Sequence, residues 1–270
     1  MSIMDPEARQ VTDEAGYGEP GFAERYDRCR PRPPVALPQL LPPLAGVRRP
    51  HLVVDIGSGT GLSTRIWAGY ADEVVGVEPN DAMRTFAEQA TDAANVRYAA
   101  ASAYETGLPD GCADLVTAAQ SLQWMRPERI LPEIRRILRP GGVLCAYTYV
   151  GLQTPVWELE AEWEAVLARK RDLRSRRGLD HTRQHWPVNR MRIEQSGLFR
   201  YVRDLVLHSV EMGDGERLVG FALSEGSMTT LLAAGTTEEE VGLDRLRRVA
   251  ATVPDPVPWW ISYQVLLALV

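Results

Sequence analysis

The sequence predicts an α/β protein with a doubly wound, mostly parallel seven-stranded sheet and a helical cap. Two observations carry this prediction. Short apolar runs alternate with amphipathic segments between residues 51 and 150, as in chains that build parallel sheets covered on both faces. Beyond residue 150 the alternation stops and a long amphipathic segment follows, which indicates helices inserted before a closing pair of strands.

The predicted strands are short apolar runs bounded by glycine, proline or polar residues. They cover residues 51–56, 73–77, 96–100, 113–118, 143–149, 200–212 and 258–270. The predicted helices cover residues 62–70, 82–90, 127–138, 155–177, 216–232 and 238–251. Asp81 or Asn80 can cap the second of these helices, and Pro140-Gly141-Gly142 is expected to end the third.

The composition is that of an ordinary globular protein, with 45% hydrophobic and 24% charged residues among 270. A formal net charge of −6 argues against a nucleic-acid partner, which needs a broad basic surface. No apolar run is long enough to span a bilayer and residues 1–7 lack the features of a secretory signal, so we expect a cytoplasmic protein without a membrane partner. The three cysteines show no zinc-site or disulfide spacing, and no metal is expected. Arginine supplies 29 of the 30 basic residues, a bias typical of a GC-rich bacterial genome.

A glycine-rich turn joins the first predicted strand to the first predicted helix. It reads Asp55-Ile56-Gly57-Ser58-Gly59-Thr60-Gly61, and glycines there let the backbone approach a ligand at a helix N-terminus. Glu78 ends the second strand 21 residues beyond Gly57, where a carboxylate can accept hydrogen bonds from both ribose hydroxyls. The turn and the acid together predict a cofactor that contains adenosine.

Two details separate the candidate cofactors. A dinucleotide fingerprint needs a third glycine where this sequence has Leu62, and Asp55 would repel a pyrophosphate. An aspartate before the glycines instead suits a ligand with a cationic ammonium group, such as S-adenosylmethionine. We therefore expect S-adenosylmethionine, and a nicotinamide-dependent oxidoreductase is the disfavoured alternative.

These residues resemble the first motif of class I S-adenosylmethionine-dependent methyltransferases. Three further stretches resemble segments of the same family in the same order: residues 98–109, residues 114–116 and residues 134–142. The resemblance covers residues 22–150 best and implies the Rossmann-like methyltransferase fold. It also implies that a methyl group passes from S-adenosylmethionine to a small-molecule acceptor. The oligomeric state is left open.

The resemblance divides the chain into four segments of one domain. Residues 1–50, with seven prolines between positions 31 and 50, are an N-terminal lid, and residues 51–150 are the core that binds S-adenosylmethionine. Residues 151–198 are a helical acceptor cap, and residues 199–270 are closing strands with a helical insertion.

The resemblance also implies which residues hold the cofactor. The glycine turn is expected at its methionine and ribose portion, Glu78 at the ribose, and the pair Tyr26 and Arg30 at its carboxylate. The expected cofactor-binding residues are Tyr26, Arg30, Asp55, Gly57, Ser58, Gly59, Gly61, Glu78, Pro79, Met83, Ser102, Ala103 and Gln120. Many family members have an acid where this sequence has Ser102.

The acceptor pocket is expected at residues 120–124, which follow the fourth strand and face the donor methyl group. Gln123 and Trp124 are assigned to this pocket together with Trp186. The tetrapeptide Ser-Leu-Gln-Trp at residues 121–124 is similar to the corresponding segment of trans-aconitate methyltransferases, which esterify a small carboxylic acid. His181 and His185 are the candidate general bases, and solvated loop histidines are the alternative.

Methyl transfer from a sulfonium depends mainly on placing the acceptor atom and excluding water. Transfer to oxygen is the expected reaction, with a carboxylate as one option, and C- or N-methylation of a specialised metabolite is the alternative. A non-catalytic S-adenosylmethionine-binding protein is a further alternative, because no indispensable base is visible. Nine basic residues and two acids between residues 169 and 192 indicate either a solvated helix face or a landing site for an anionic acceptor.

Overall fold

The computed structural model describes residue 17, residues 19–179 and residues 186–270, with the side chains of residues 186–189 excepted. The strands are β1 (Leu52–Ile56), β2 (Glu73–Val77), β3 (Val96–Ala99), β4 (Ala113–Ala119), β5 (Leu138–Gln153), β6 (Tyr201–Gly213) and β7 (Val257–Leu269). The helices are α1 (Phe22–Cys29), α2 (Leu37–Leu44), α3 (Leu62–Arg65), α4 (Asp81–Gln89), α5 (Pro127–Ile137), α6 (Trp157–Arg176), α7 (Trp186–Gln195), α8 (Gly215–Leu223), α9 (Gly226–Ala233), α10 (Glu238–Val241) and α11 (Leu243–Ala250). A short 3₁₀ helix covers Leu122–Trp124.

The strands form one seven-stranded sheet in the order β3-β2-β1-β4-β5-β7-β6. Strands β1 to β5 are parallel to one another, and β7 lies antiparallel between β5 and β6. The strand order reverses between β1 and β4, which is where ligands bind in open α/β sheets. The predicted doubly wound, mostly parallel sheet is therefore confirmed.

Two apolar cores cover the two faces of the sheet. The first contains side chains from α2, α6, α8, α9 and α11 together with Trp67, and the second contains side chains from α5 and α7. Strand β1 is buried along its whole length because both cores cover it, which explains its continuous apolar run. The edge strand β6 instead alternates between half-buried and exposed residues.

The helical cap combines one helix that precedes β6 in the sequence with several helices that follow it. Helices α8, α9, α10 and α11 pack against α6 or against each other, and α1 packs against α8. The rings of Trp163 in α6 and Phe221 in α8 stack with their centroids 5.0 Å apart. Helix α7 lies elsewhere, against α5, β6 and the 3₁₀ helix.

Several element boundaries differ from the predicted ones for local reasons. The first α/β helix ends at Arg65 and continues as turns, and Asn80 rather than Asp81 caps α4 by accepting the Met83 N–H at 2.9 Å. Helix α5 ends at Ile137, and β5 begins at Leu138 and runs through the expected stop at residues 140–142.

The two long helices expected between β6 and β7 are each interrupted. The break at Ser224 separates α8 from α9, and Gly242, at φ 84°, separates α10 from α11. Over the part of the chain that the structure describes, none of the helices combines the length and the apolar character of a membrane span.

Candidate active site

A cleft opens where β1 and β4 end, between the glycine turn and the N-terminal segment. Its walls come from four parts of the chain: the end of α1, the glycine turn, the end of β4, and β5 with β7. The lining residues are Tyr26, Arg30, Pro31, Pro33, Gly57, Ser58, Gly59, Thr60, Leu62, Ser63, Ala119, Gln120, Tyr147, Tyr149 and Tyr263. Six of the expected cofactor residues therefore meet in one cleft at the switch point of the sheet.

The glycine turn needs glycine for two reasons. Gly57, Gly59 and Gly61 all have positive φ, at 66°, 57° and 83°. A Cβ atom on Gly57 would also lie 2.7 Å from the Cβ atom of Ser121, whose hydroxyl donates to the Ile56 carbonyl at 2.7 Å. Gly57 thus lets the end of β4 pack directly against the end of β1.

Asp55 lies beneath the glycine turn and is fully buried. Its carboxylate accepts hydrogen bonds from the hydroxyls of Ser63 at 3.2 Å, Thr64 at 2.7 Å and Thr117 at 2.7 Å. Burial raises its pKa from 3.8 to about 6, against the lowering effect of these three hydroxyls. The Ser63 hydroxyl in turn accepts from Tyr147 at 2.8 Å, so Asp55 reaches the cleft only through this chain. Its direct contact with a ligand ammonium stays a prediction.

Glu78 is buried at the end of β2 and holds the glycine turn. Its carboxylate accepts from the backbone N–H of Gly59 at 2.9 Å and of Asn80 at 2.8 Å. Burial raises its pKa, although these two backbone donors act in the opposite direction. The Met83 methyl group lies 3.6 Å from where a Cβ of Gly59 would be, and Pro79 follows Glu78 half-buried. These residues therefore adjoin the turn, and their contacts with ribose and adenine stay predictions.

Ser102 and Ala103 follow β3 and do not line the described cleft. Ser102 forms an isolated bridge with Glu105, and its hydroxyl accepts from the Tyr104 N–H at 3.2 Å. Ala103 is buried. Ser102 therefore stabilises its own turn in this structure, and the adenine contact of both residues stays a prediction.

Arg30 lies just beyond α1, with 9% of its surface exposed. Its guanidinium donates to the Ser224 hydroxyl at 2.9 Å, to the Ser224 carbonyl at 2.6 Å and to the Tyr149 hydroxyl. It also stands 4.6 Å from the centre of the Tyr26 ring. Burial lowers its pKa, but Tyr149 and Tyr26 raise it by more, so the group stays a cation.

No carboxylate pairs with Arg30 in the part of the chain that the structure describes. A buried cation without a counter-charge is costly. An anionic ligand in the cleft would supply that charge, as the prediction of a carboxylate clamp requires.

Gln120 is, among the described residues, the one non-glycine residue with positive φ, at 54°. Such a backbone conformation costs about 1 to 3 kcal/mol and recurs at functional sites. Its Oε1 accepts from the Thr148 hydroxyl at 2.8 Å, and its carbonyl accepts from Gln123 Nε2 at 2.8 Å. Its Nε2 is buried without a described partner.

Three tyrosines that the sequence analysis missed line the cleft: Tyr147, Tyr149 and Tyr263. Tyr147 and Tyr149 are two residues apart, so their side chains leave β5 on the same face. Their position at the carboxyl end of a predicted parallel strand was a signal that could have identified both. Tyr263 carried no such signal, because it reaches the cleft from the antiparallel β7.

The predicted acceptor residues are only partly described. Gln123 and Trp124 lie half-buried in the 3₁₀ helix after β4, and the Oε1 of Gln123 is buried without a described partner. Trp186 begins α7, which packs against this 3₁₀ helix, but its side chain lies outside the described residues. His181 and His185 also lie outside the described residues. Their roles stay predictions.

The basic run at residues 169–192 makes contacts within the fold where it is described. Lys170 forms an ion pair with Glu225, and Arg176 donates to Asp172 at 3.0 Å. Arg190 donates to Glu194 at 3.1 Å. These pairs lie within the fold, with Lys170 buried, and they speak against the interpretation as a landing site for an anion.

Comparison with known proteins now decides the family. Residues 54–146 match the family model described as a methyltransferase domain. An uncharacterized methyltransferase of Mycobacterium tuberculosis is 40% identical over 121 residues, which cover 44% of this chain and 46% of that protein. Residues 54–146 carry a methyltransferase domain of the predicted class I S-adenosylmethionine-dependent type. A probable S-adenosylmethionine-dependent methyltransferase of Saccharomyces cerevisiae is 29% identical over 131 residues, which cover 46% of this chain and 44% of that protein.

The chain also resembles solved structures along most of its length. A structure from Anaeromyxobacter dehalogenans, named provisionally as a type II methyltransferase, aligns with a TM-score of 0.66 at 23% identity and covers 89% of this chain and 97% of that one. Phosphoethanolamine N-methyltransferase 2 of Haemonchus contortus aligns with a TM-score of 0.54 at 19% identity, covering 99% of this chain and 60% of that one. Both likenesses concern the fold alone. The chain spans less than half the length of the curated relatives named above.

The cleft of the methyltransferase domain fits the family's cofactor. Ser58 Oγ and Thr60 Oγ1 are buried without described partners, and both residues line the cleft. Buried polar groups are normally hydrogen-bonded, so these atoms suit the polar groups of a bound ligand. S-adenosylmethionine, the cofactor expected from the glycine turn and Glu78, is confirmed by the family.

Proposed function

We propose that this protein transfers a methyl group from S-adenosylmethionine to an oxygen atom of a small-molecule acceptor, with a carboxylate as the leading option. One observation carries the proposal. In the part that the structure describes, the lining of the cleft contains no aspartate, glutamate or histidine that could act as a general base. An acceptor oxygen that is already anionic suits such a cleft, because it needs no base.

The chain's residues divide the work of binding between two ends of the cleft. The glycine turn and Glu78 hold the ribose side, and Arg30 holds the cofactor carboxylate. Pro79, Met83, Ser102 and Ala103 contact the adenine. When S-adenosylmethionine is bound, its sulfonium supplies the methyl group to be transferred. The prolines and tyrosines of the lining exclude water from the acceptor side, so that the methyl group meets the acceptor rather than solvent.

One relative supports transfer to oxygen. The malonyl-[acyl-carrier protein] O-methyltransferase of Pseudescherichia vulneris is 31% identical over 125 residues, which cover 46% of this chain and 48% of that protein. The shared stretch amounts to less than half of either chain. The acceptor of that protein is therefore not transferred to this one, and only the class of atom is proposed.

Binding of S-adenosylhomocysteine tests the cofactor part of the proposal. We expect Glu78→Gln to weaken this binding at least tenfold, about 1.4 kcal/mol, because the amide can no longer accept hydrogen bonds at both oxygens. Glu73→Gln, at the exposed start of β2, is the matched control and should leave binding unchanged. Equal affinities of the two variants in calorimetry would contradict the assignment of Glu78.

Release of S-adenosylhomocysteine tests the catalytic part. Purified protein is incubated with S-adenosylmethionine and small carboxylates, phenols, amines and carbon acids, and mass spectrometry locates the methyl group. Methylation at oxygen supports the proposal, and methylation at carbon or nitrogen alone refutes it. Tight cofactor binding without turnover of any compound would instead favour the non-catalytic binding protein.

A further inference from the structure

The backbone of Gln120 is fixed at the mouth of the cleft. Its N–H donates to the Tyr147 carbonyl at 2.9 Å, and its carbonyl accepts from Gln123 Nε2 at 2.8 Å. Between these two hydrogen bonds the residue is held at a φ of 54°. The fixed backbone therefore sets the direction in which the Gln120 side chain leaves the chain. Glycine or asparagine would adopt this conformation with less strain.

The side-chain amide of Gln120 is also oriented. The Thr148 hydroxyl donates to Oε1 at 2.8 Å, which turns Nε2 away from Thr148. That nitrogen is buried and has no described partner, although Gln120 lines the cleft. An amide nitrogen can only donate hydrogen bonds. The atom that Gln120 offers to a ligand is therefore a donor, and it suits a ligand oxygen.

The charged and titratable groups near this donor favour an anionic oxygen over an amine. The carboxylates of Asp55 and Glu78 are engaged by hydroxyls and backbone N–H groups and are absent from the described lining of the cleft, and the charge of Arg30 is assigned to the cofactor carboxylate. Burial raises the pKa of the Tyr147 and Tyr263 hydroxyls, so neither is a base near neutral pH. An amine would find no described carboxylate to receive its protons.

We propose that Gln120 is a specificity-determining residue whose Nε2 donates to an oxygen of an acceptor carboxylate, with Thr148 holding the amide in that orientation. The inference rests on the proposed methyl transfer, names its acceptor class, and assigns Gln120 to the acceptor in place of the cofactor contact that the family resemblance implied. A carboxylate oxygen forms the new C–O bond as the bond between sulfur and the methyl carbon breaks. The electrons of that bond stay on sulfur, so that S-adenosylhomocysteine and a methyl ester leave without transfer of a proton.

The test compares three variants of the full chain. Gln120→Glu keeps the size of the side chain but replaces the donor with a second negative charge, and Thr148→Val removes the group that orients the amide. Gln89→Glu makes the same chemical change at the exposed end of α4 and serves as the control. The probes are small mono-, di- and tricarboxylates, including trans-aconitate, and amines of matched carbon skeleton.

We expect the unmodified protein to methylate carboxylates in preference to the matched amines. Gln120→Glu should lower kcat/KM for the carboxylates by about 100-fold or more, from a lost hydrogen bond and like-charge repulsion. Thr148→Val should lower it by about tenfold, because the amide loses one orienting bond. The affinity of all variants for S-adenosylhomocysteine should stay within about threefold, and Gln89→Glu should match the unmodified protein.

Four results would overturn the inference. They are preference for the amines, unchanged carboxylate turnover in Gln120→Glu, no turnover or competitive binding by any carboxylate of the panel, and loss of S-adenosylhomocysteine affinity in parallel with activity. The last would make Gln120 a cofactor residue. Failure of the proposed function is distinguishable, since it shows as a lack of S-adenosylhomocysteine binding or as methylation at carbon or nitrogen alone in the unmodified protein.

Discussion

The glycine-turn half of the molecule (residues 52–137) and its cap half (residues 157–250) bury charges of opposite sign for different purposes. In the glycine-turn half, the carboxylates of Asp55 and Glu78 accept from hydroxyls and backbone N–H groups next to the cleft. In the cap half, Lys170 pairs with Glu225, and Arg174 donates to carbonyls and a hydroxyl of its neighbours. The first set shapes a binding site, and the second holds helices together.

This comparison makes a general prediction about substitutions. A change at the glycine turn, or at a side chain that holds it, should alter cofactor affinity together with stability, because those side chains position the backbone that lines the cleft. A change in the cap half should alter stability alone. The experiments on the two glycine variants and on Arg174→Met therefore measure both the free energy of unfolding and the affinity for S-adenosylhomocysteine.

The largest effect is expected for Gly57→Ala. Alanine at a φ of 66° costs about 1 to 2 kcal/mol, and its Cβ would lie 2.7 Å from that of Ser121. Overpacking of this kind adds about 1 to 3 kcal/mol, and the end of β4 must move away from the turn. We expect a loss of stability of about 3 to 4 kcal/mol in urea unfolding, and a loss of cofactor affinity in calorimetry.

Gly107→Ala is the matched control, because it isolates the cost of a positive φ from the cost of a close contact. Gly107 has a φ of 71° but no atom within 4 Å of the added Cβ. This variant should lose only about 1 to 2 kcal/mol of stability, from backbone strain, and should keep its cofactor affinity. If both glycine variants behave alike, the close approach of the two strand ends is irrelevant to binding.

The same comparison separates what the sequence could predict from what it could not. The glycine turn and Glu78 were identifiable because close backbone approach and ribose binding need particular residue types at particular strand ends, whereas Tyr26 and Arg30 were found only through the family resemblance. The mostly parallel sheet and the positions of its strands followed from the alternation of apolar runs. These are local signals, and each lies within a few residues of the element that it specifies.

The features of the site and of the cap that the sequence did not reveal depend on contacts between segments far apart in the chain. Arg30 meets Ser224, which is 194 residues away, and Tyr263 donates to the Arg32 carbonyl, which is 231 residues away. The split between α8 and α9 at Ser224 likewise has no strong local stop signal, although Gly226 begins α9. Periodicity alone could not show that Asp55 would be buried under three hydroxyls.

The second effect concerns the pH dependence that Asp55 gives to stability. Its pKa in the folded protein is about 6, raised from 3.8. Between these values the unfolded chain ionises while the folded protein keeps its proton, so stability falls as pH rises. The contribution is fully present below pH 3.8 and lost above pH 6, a difference of about 3 kcal/mol from a shift of this size.

Asp55→Asn should remove this pH dependence. The difference in unfolding free energy between Asp55→Asn and the unmodified protein is measured in urea at intervals from pH 4 to pH 7. We expect that difference to shift by about 3 kcal/mol in favour of the variant as pH rises. A constant difference would mean that Asp55 titrates normally and that its burial does not control the turn.

A smaller effect is expected for Arg174→Met in the cap half. The methionine keeps most of the apolar stem, but the Ser227 carbonyl and the Thr230 hydroxyl lose their donor. Loss of these buried hydrogen bonds should cost about 2 kcal/mol of stability. The affinity for S-adenosylhomocysteine should stay the same. A matching loss of affinity would show that the cap also orders the cofactor site, and would break the comparison between the halves.

The smallest effect is expected for Arg176→Ala, two residues further along α6. Arg176 pairs with Asp172, which lies one helical turn away. The side chains of Arg176 and Asp172 are 73% and 53% exposed, so solvent screens the attraction between them. We expect the unfolding free energy to change by less than about 0.5 kcal/mol and the KM for a carboxylate acceptor by less than about twofold. A KM that rises several-fold, with the effect disappearing at high salt, would support the landing-site interpretation. Because Lys170 and Arg190 in the same basic run already pair within the fold, we expect the smaller change.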